Sequence, residues 1–258
     1  MKIVVAYKWA PNPQDADVAP DGTVDLTRAK AAVSEYDPVA FELARRLADA
    51  TGGEVVGLSV GAAAIDTPLA RKAALSRGLD RLVLVADDAL ADATGTQLAA
   101  VLAAAVRAIG DVDLVLTGDS SIDVAAGQVP LTLAGELGWL GLAAVTSVAA
   151  SDGGLAVERD LPGGTAVLRV ATPAVLAATA DAVVPRVAGM KDILAAAKKP
   201  VEVLDLAALA VPASGTTLAT LVTAKPTGGE RNARIIDGAD PAAAAAELVG
   251  ALRQAGVL

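Results

Sequence analysis

Residues 112–130 read VDLVLTGDSSIDVAAGQVP, and they contain the signals of a strand, a loop and the start of a helix. It opens with a short apolar run from Val112 to Leu116, which is typical of a buried β-strand. A polar loop from Thr117 to Asp123 follows, and the pattern from about Ala125 to Leu137 then predicts a helix. A strand that passes through a glycine-containing loop into a helix is the unit from which parallel sheets are built.

The same unit recurs on the amino-terminal side of this stretch. Asp37 is expected to be the N-cap of the first helix, with Pro38 as its first residue. Connections through such helices are right-handed, which predicts a doubly wound α/β fold with a mostly parallel sheet. The predicted elements are strand 3–7, helix 37–52, strand 54–60, helix 69–75, strand 81–85 and helix 93–109.

The pattern changes after Gly138. Strand candidates at residues 155–160 and 166–170 flank Pro162-Gly163-Gly164, which predicts a β-hairpin, and residues 174–177 are a further strand candidate. Residues 1–206 are therefore expected to form one α/β domain.

The remaining residues, 207–258, are expected to form a carboxy-terminal arm. Residues 207–238 are rich in Thr, Ala, Pro and Gly and lack the apolar period that a core of their own would need. A last helix is predicted from Asp240-Pro241 to about Gln254. The arm is expected to pack on a partner chain or back on the domain.

Composition excludes several classes of function. The chain has 258 residues, no Cys and no His, so thiol nucleophiles, Ser-His-Asp triads and Cys/His zinc sites are excluded. A net charge of −9 argues against a nucleic-acid partner. The absence of Cys suits a cytoplasmic protein, and we expect no membrane insertion and no secretory signal. Because no acid–base pair is evident either, the chain is expected to be a binding or carrier protein without catalytic residues.

Two loops at strand ends are the candidate site. One follows the first strand at Ala6-Tyr7-Lys8, and the other is the loop from Thr117 to Asp123. Ligands of open parallel sheets bind outside the carboxyl ends of the strands, where the strand order reverses. The plain alternative is that the Asp and Ser residues of the second loop only cap the helix that follows. Neither the G-x-G-x-x-G fingerprint nor a Walker A motif is present.

A set of short motifs spread over most of the chain resembles the beta subunit of electron transfer flavoproteins. These motifs are residues 3–8, Ser34-Glu35-Tyr36-Asp37, Ser59-Val60-Gly61, residues 74–81, residues 118–130, Val157-Glu158-Arg159, Pro173-Ala174-Val175, residues 185–199 and Gly228-Gly229-Glu230. The resemblance implies an adenine-nucleotide alpha hydrolase-like (Rossmann-like) fold, with residues 1–206 as its nucleotide-binding domain.

The resemblance also implies cofactors and partners. In this family the beta subunit pairs with an alpha subunit that carries FAD, binds AMP structurally, and supports electron transfer from acyl-CoA and related dehydrogenases to a membrane quinone oxidoreductase. A partner-recognition loop at about residues 184–199 would present Met190 between Arg186 and Lys191. The implied AMP contacts are Ala6, Ser34, Glu35, Tyr36, Asp37, Val60, Asp119, Ser120, Ser121, Ile122, Asp123, Val124, Ala125, Ala126, Gly127, Gln128, Val129 and Pro130.

Two positions depart from the family pattern. Some members of the family bind a second FAD in the beta subunit and bifurcate electrons, and these members carry an acidic residue at the position of Ala125. The resemblance therefore favours the AMP-binding type. Asp119 stands where many members have a basic or amide residue, and its charge would disfavour a nearby phosphate. Two alternatives remain: a free-standing adenine-nucleotide sensor of the universal-stress type, and an FAD-binding beta subunit of a bifurcating flavoprotein.

Overall fold

The structure is a computed structural model that describes residues 1–211, 221 and 233–258. Within the described residues the helices are α1 (Pro38–Thr51), α2 (Pro68–Leu75), α3 (Gly95–Ile109), α4 (Val129–Leu137), α5 (Met190–Ala196) and α6 (Pro241–Gln254). The strands described are β1 (Lys2–Ala6), β2 (Trp9–Pro11), β3 (Asp17–Val18), β4 (Val24–Asp25), β5 (Ala31–Val33), β6 (Glu54–Gly61), β7 (Arg81–Ala86), β8 (Leu114–Gly118), β9 (Leu140–Ser151), β10 (Gly154–Leu161), β11 (Gly164–Val170), β12 (Ala174–Ala178) and β13 (Val201–Val203).

One large sheet organises residues 1–211. It has nine strands in the order β11-β10-β9-β12-β8-β1-β6-β7-β13, and the pairs from β9–β12 to β7–β13 are parallel. The hairpin β10–β11 extends the sheet as antiparallel strands next to β9. The predicted doubly wound α/β fold, with its mostly parallel sheet and its β-hairpin, is confirmed.

Helices cover both faces of this sheet. Along β1 the side chains alternate, so Ile3 and Val5 pack with the α1 side of the core, while Val4 and Ala6 pack with the α3 side. Because both faces are buried, the central strands consist of consecutive apolar residues rather than of alternating apolar and polar ones.

Three features differ from the sequence-based expectations. The long strand β9 was not predicted, because the Ala- and Ser-rich run of residues 140–151 lacks a clear alternation. Helix α4 starts at Val129 and not near Ala125, since Ala125 and Gly127 have positive φ angles of 52° and 61° that a right-handed helix does not allow. Residues 190–196 of the predicted recognition loop are helical.

The chain divides into two compact units, Met1–Val222 and Thr223–Leu258. In the second unit, Asp240 caps α6 by accepting hydrogen bonds from the amides of Ala242 and Ala243, and Arg234 pairs with Glu247 at 2.9 Å. The Gly228-Gly229-Glu230 motif lies outside the described residues. Among the residues that the structure describes, no helix is both long and apolar enough to cross a bilayer.

Candidate functional site

The two predicted loops meet at the centre of the sheet. Strands β1 and β8 are parallel neighbours, with Val5 opposite Leu116, so their carboxyl ends lie side by side. Strand β6 lies on the other side of β1, and the connection from β7 to β8 crosses over both β6 and β1. The point where the strand order reverses is therefore between β1 and β8, as the sequence indicated.

Asp37 ties the two loops together. It is 4% exposed, and its Oδ2 atom accepts a hydrogen bond of 2.8 Å from the amide of Lys8, while Oδ1 accepts one of 3.2 Å from the amide of Gly118. Asp37 is the N-cap residue of α1, as the sequence predicted, but its carboxylate forms no capping bond to the helix. Burial raises the pKa of Asp37 to about 7, although the two amides and the Lys8 charge act in the opposite direction.

Gly118 makes this junction sterically possible. A Cβ atom at this position would lie 2.3 Å from the carbonyl oxygen of Tyr36 and 2.9 Å from Asp37 Oδ1. The turn before α1 therefore packs directly against the backbone at the end of β8, and a side chain at residue 118 would force them apart.

Two further contacts fix the loop that follows β8. Ser34 Oγ, which is buried, accepts a hydrogen bond of 3.2 Å from the amide of Ile122. Lys8 Nζ lies 2.9 Å from Asp123 Oδ1 and 2.7 Å from Oδ2. Partial burial acts to raise the pKa of Asp123, but hydrogen bonds from Lys8 and Ser121 outweigh it and lower the pKa. The Lys8 charge is thus already neutralised by this chain.

A cavity of about 460 Å³ opens above this junction. Predicted contact residues that line it are Ala6, Asp37, Val60, Ser120, Ser121, Val124, Ala126, Gly127, Gln128, Val129 and Pro130. Those that lie outside its lining are Ser34, Glu35, Tyr36, Asp119, Ile122, Asp123 and Ala125. Of this second group, Ser34 and Asp123 support the lining residues through the contacts described above.

One wall of the cavity was not identified from the sequence. It is formed by the turn before α3 and by the first two turns of that helix, with Thr94 as the N-cap. Leu98 and Leu102 of α3 give this wall an apolar surface. The strand-to-helix turn after β7 was the available signal, since it is equivalent in position to the turn after β8. The lining residues of this wall are Asp92, Ala93, Thr94, Gly95, Leu98 and Leu102. The cavity is also lined by Tyr7, Lys8, Thr117 and Gly118, which belong to the two candidate loops.

The floor of the cavity carries an unpaired hydroxyl group. Thr117 is 5% exposed, and its Oγ1 atom has no hydrogen-bond partner although it is buried. No side chain caps the start of α4, at Gln128. Buried polar groups are normally paired, so an unpaired hydroxyl beside an uncapped helix start fits a polar ligand that bears an anionic group.

Asp119, the first residue after β8, lies outside the cavity wall. Its Oδ1 atom is buried without a hydrogen-bond partner, and the residue is absent from the cavity lining. Burial raises the pKa of Asp119, and the charge of Asp181 acts in the same direction.

The segment predicted for partner recognition lies on α5 and the residues before it. Met190 is the first residue of α5 and is 72% exposed, and Lys191 is exposed beside it. Arg186 does not extend freely, because its Nε atom donates to Glu42 Oε2 at 2.6 Å.

The fold and the cavity together define a Rossmann-like α/β protein with a cavity at its topological switch point, where ligands of such folds bind. A family model, the electron transfer flavoprotein domain, matches residues 21–209. The chain therefore belongs to the electron transfer flavoprotein family, and the resemblance seen in the sequence is confirmed at that level.

Proposed function

We propose that this chain is the beta-type subunit of a heterodimeric electron transfer flavoprotein. It binds AMP as a structural ligand and pairs with an alpha subunit that carries FAD. The flavin of that subunit supplies the redox chemistry, between acyl-CoA and related dehydrogenases as donors and a membrane quinone oxidoreductase as acceptor. We place the heterodimer in the cytoplasm.

The observation that carries the AMP proposal is the cavity at the ends of β1 and β8. Its volume of about 460 Å³ lies within the range of roughly 300–1,000 Å³ that is usual for small-molecule sites. Val60, Leu98 and Leu102 offer an apolar surface for a purine ring, while Ser120 and Ser121 offer hydroxyl groups for a ribose or a phosphate.

Charge in the cavity favours a ligand with few phosphate groups. Lys8 is neutralised by Asp123, and Asp37 and Asp92 contribute further carboxylates. A single phosphate would be held by backbone amides near the start of α4 and by the Thr117 hydroxyl. Each added phosphate would bring about one more negative charge toward these acids, which supports AMP over ADP or ATP.

We also propose that the chain has no catalytic residue of its own. The titratable groups in the cavity lining are Tyr7, Lys8, Asp37 and Asp92. Asp37 is committed to two backbone amides and Lys8 to Asp123. Burial raises the pKa of Tyr7, and the neighbouring Asp37 carboxylate raises it further, so this phenol stays protonated.

Partner contacts complete the proposal. Met190, exposed at the start of α5, would insert into a pocket of the dehydrogenase, with Lys191 at the rim of the contact. One desolvated apolar residue inside a charged rim permits fast and weak binding, which electron carriers need for turnover. Residues 207–258, which include α6, would pack on the alpha subunit.

Ligand analysis of the purified heterodimer tests the proposal. The chain is co-expressed with its alpha subunit, and the ligands released on denaturation are identified and counted by mass spectrometry. One AMP and one FAD per heterodimer are expected. Two FAD molecules would indicate the bifurcating type, and a colourless homodimer that holds ATP would indicate a nucleotide sensor; either result would overturn the proposal.

A further inference from the structure

An exposed apolar segment runs along the surface before and through α5. Within residues 184–194, Val184 is 84% exposed, Val187 is 93% exposed and Leu194 is 65% exposed, in addition to Met190. Such side chains would lower their exposure if the segment collapsed onto the body of the protein. The structure therefore has to hold this segment, called here the apolar segment, away from the core.

The amino-terminal end of the apolar segment is held by Glu42. This residue is 5% exposed on α1, and its Oε2 atom accepts hydrogen bonds from the backbone amide of Arg186 at 3.3 Å and from Nε at 2.6 Å. Arg186 Nη2 reaches Oε1 at 3.3 Å. Both the side chain and the backbone of Arg186 are thus fixed to one buried carboxylate.

Arg46 fixes that carboxylate in turn. Its Nε atom donates to Glu42 Oε1 at 2.7 Å, one helical turn along α1. Burial alone would raise the pKa of Glu42, but the hydrogen bonds from Arg186 and Arg46 outweigh it and lower the pKa to about 2. Glu42 therefore remains ionised and oriented at any pH at which the protein works.

The carboxy-terminal end of the apolar segment is held by α2. Ala196 is 1% exposed in the core, and α5 packs against α2. Lys199 Nζ donates hydrogen bonds to the carbonyl oxygen of Leu75 at 3.0 Å and to that of Leu79 at 2.5 Å. Leu75 is the last residue of α2, and Leu79 follows the helix. Both ends of the segment are therefore attached to helices that pack on the central sheet.

We propose that Glu42 is a positioning residue for partner recognition, which holds the apolar segment preformed through Arg186 so that Met190 is presented without a folding step. This inference rests on the proposed function, in which Met190 contacts the dehydrogenase. It assigns Arg186 a role different from the one expected from the sequence. Arg186 acts inside this chain, as the link between Glu42 and the segment, rather than as a charge that the partner reads.

The physical benefit is preorganisation. A segment that had to become ordered on binding would lose conformational entropy for each side chain it immobilises, and this loss would weaken the binding. Removing the attachment at Glu42 should therefore weaken binding of the partner while leaving the flavin chemistry of the bound complex unchanged.

Hydrogen–deuterium exchange of the assembled heterodimer is the first test. In Glu42→Gln the amide of Arg186 is expected to exchange about three- to tenfold faster, because its hydrogen bond to Glu42 Oε2 is weakened. Glu54→Gln is the matched control, because Glu54 also pairs with an arginine. Its Oε1 atom lies 2.9 Å from Nε of Arg81, and the two residues are the first of β6 and of β7. Unchanged exchange in Glu42→Gln would overturn the inference.

Steady-state kinetics are the second test, with the heterodimer as the varied substrate of a purified acyl-CoA dehydrogenase. Glu42→Gln is expected to raise KM about two- to tenfold with kcat unchanged, and Glu54→Gln should change neither. A fall in kcat with KM unchanged would contradict a positioning role.

A double-mutant cycle separates the two roles of Arg186. If Arg186 acts through Glu42, then Arg186→Gln, Glu42→Gln and the double variant raise KM by the same factor. If Arg186 contacts the dehydrogenase directly, the two increases in KM multiply, and the inference fails.

The variant Met190→Ala tests the proposed function itself. If Met190→Ala leaves KM unchanged, the proposed recognition surface is contradicted. If Met190→Ala raises KM but Glu42→Gln does not, only the inference about Glu42 is contradicted.

Discussion

The substitution Gly118→Ala tests the junction on which the whole site is built. The new Cβ would lie 2.3 Å from the Tyr36 carbonyl oxygen and 2.6 Å from its carbon, and both of these are backbone atoms. Neither can rotate away as a flexible side chain would, so the end of β8 must separate from the turn that precedes α1.

The magnitude follows from two losses. Overpacking of a buried site costs about 1–3 kcal/mol. Separation also breaks the hydrogen bond from the Gly118 amide to Asp37 Oδ1, and a bond to a charged acceptor contributes about 1.5–3 kcal/mol. We expect a total destabilisation of about 2.5–6 kcal/mol, which is a large part of the roughly 5–15 kcal/mol stability of a typical domain.

Urea unfolding followed by circular dichroism measures this loss. Gly135→Ala is the matched control, because Gly135 lies in α4 and a Cβ there has no neighbour within 4 Å. That variant should gain about 0.5–1 kcal/mol from the better helix propensity of alanine. AMP affinity, measured by calorimetry, should fall in Gly118→Ala and stay unchanged in Gly135→Ala.

One outcome would refute this reasoning. If Gly118→Ala unfolds within about 0.5 kcal/mol of the wild type while Gly135→Ala behaves as expected, the close approach between β8 and the α1 turn is not rigid. The cavity floor could then not be fixed by that contact.

Three further predictions concern the site and the recognition surface. Burial raises the pKa of Asp37 to about 7, above its value in the unfolded chain, so the folded state binds the proton of this carboxyl group more tightly. The free energy of unfolding should therefore fall as the pH rises from about 4 to about 7. Asp37→Asn should flatten that part of a plot of urea midpoints against pH. If the pH dependence of the urea midpoint is unchanged in Asp37→Asn, titratable groups other than Asp37 cause it. Thr117→Val removes an unpaired buried hydroxyl group, so the free energy of unfolding should stay equal or rise by up to about 1 kcal/mol. The affinity for AMP, measured by calorimetry, should fall about fivefold. An unchanged affinity would exclude the hydroxyl group as a ligand contact. Met190→Ala should slow reduction of the heterodimer by the dehydrogenase in stopped-flow absorbance without loosening its association with the alpha subunit, and unchanged reduction kinetics would count against the recognition surface.

Local signals explain which elements the sequence predicted well. The strands β1, β6, β7 and β12 are short apolar runs bounded by glycine, proline or polar residues, and such runs are recognisable without any partner. The hairpin β10–β11 is marked by Pro162 and Gly163 in its turn. Strand β9 carries no comparable signal, because its place in the sheet comes from pairing with β10 and β12, which lie later in the chain.

The same distinction applies to the site. The loop after β8 and its meeting with the end of β1 followed from strand order, which the alternation of elements indicates. The wall from α3 did not, because the turn of residues 92–95 resembles any other helix start until the fold brings it across from α4. Arg186 likewise resembles a free surface charge in the sequence, and its partner Glu42 is 144 residues away.

The class of fold, the edge of the sheet at which the cavity lies, and the family could all be inferred from the sequence alone. This was possible because apolar periodicity and turn residues act over a few neighbouring positions. The contacts of the Asp37 carboxylate, by contrast, could be seen only in the folded chain. In the sequence Asp37 is an ordinary helix cap, but in the fold its carboxylate joins two strands through the amides of Lys8 and Gly118, since a hydrogen bond depends on which atoms the folded chain brings within about 3 Å and not on their order along it.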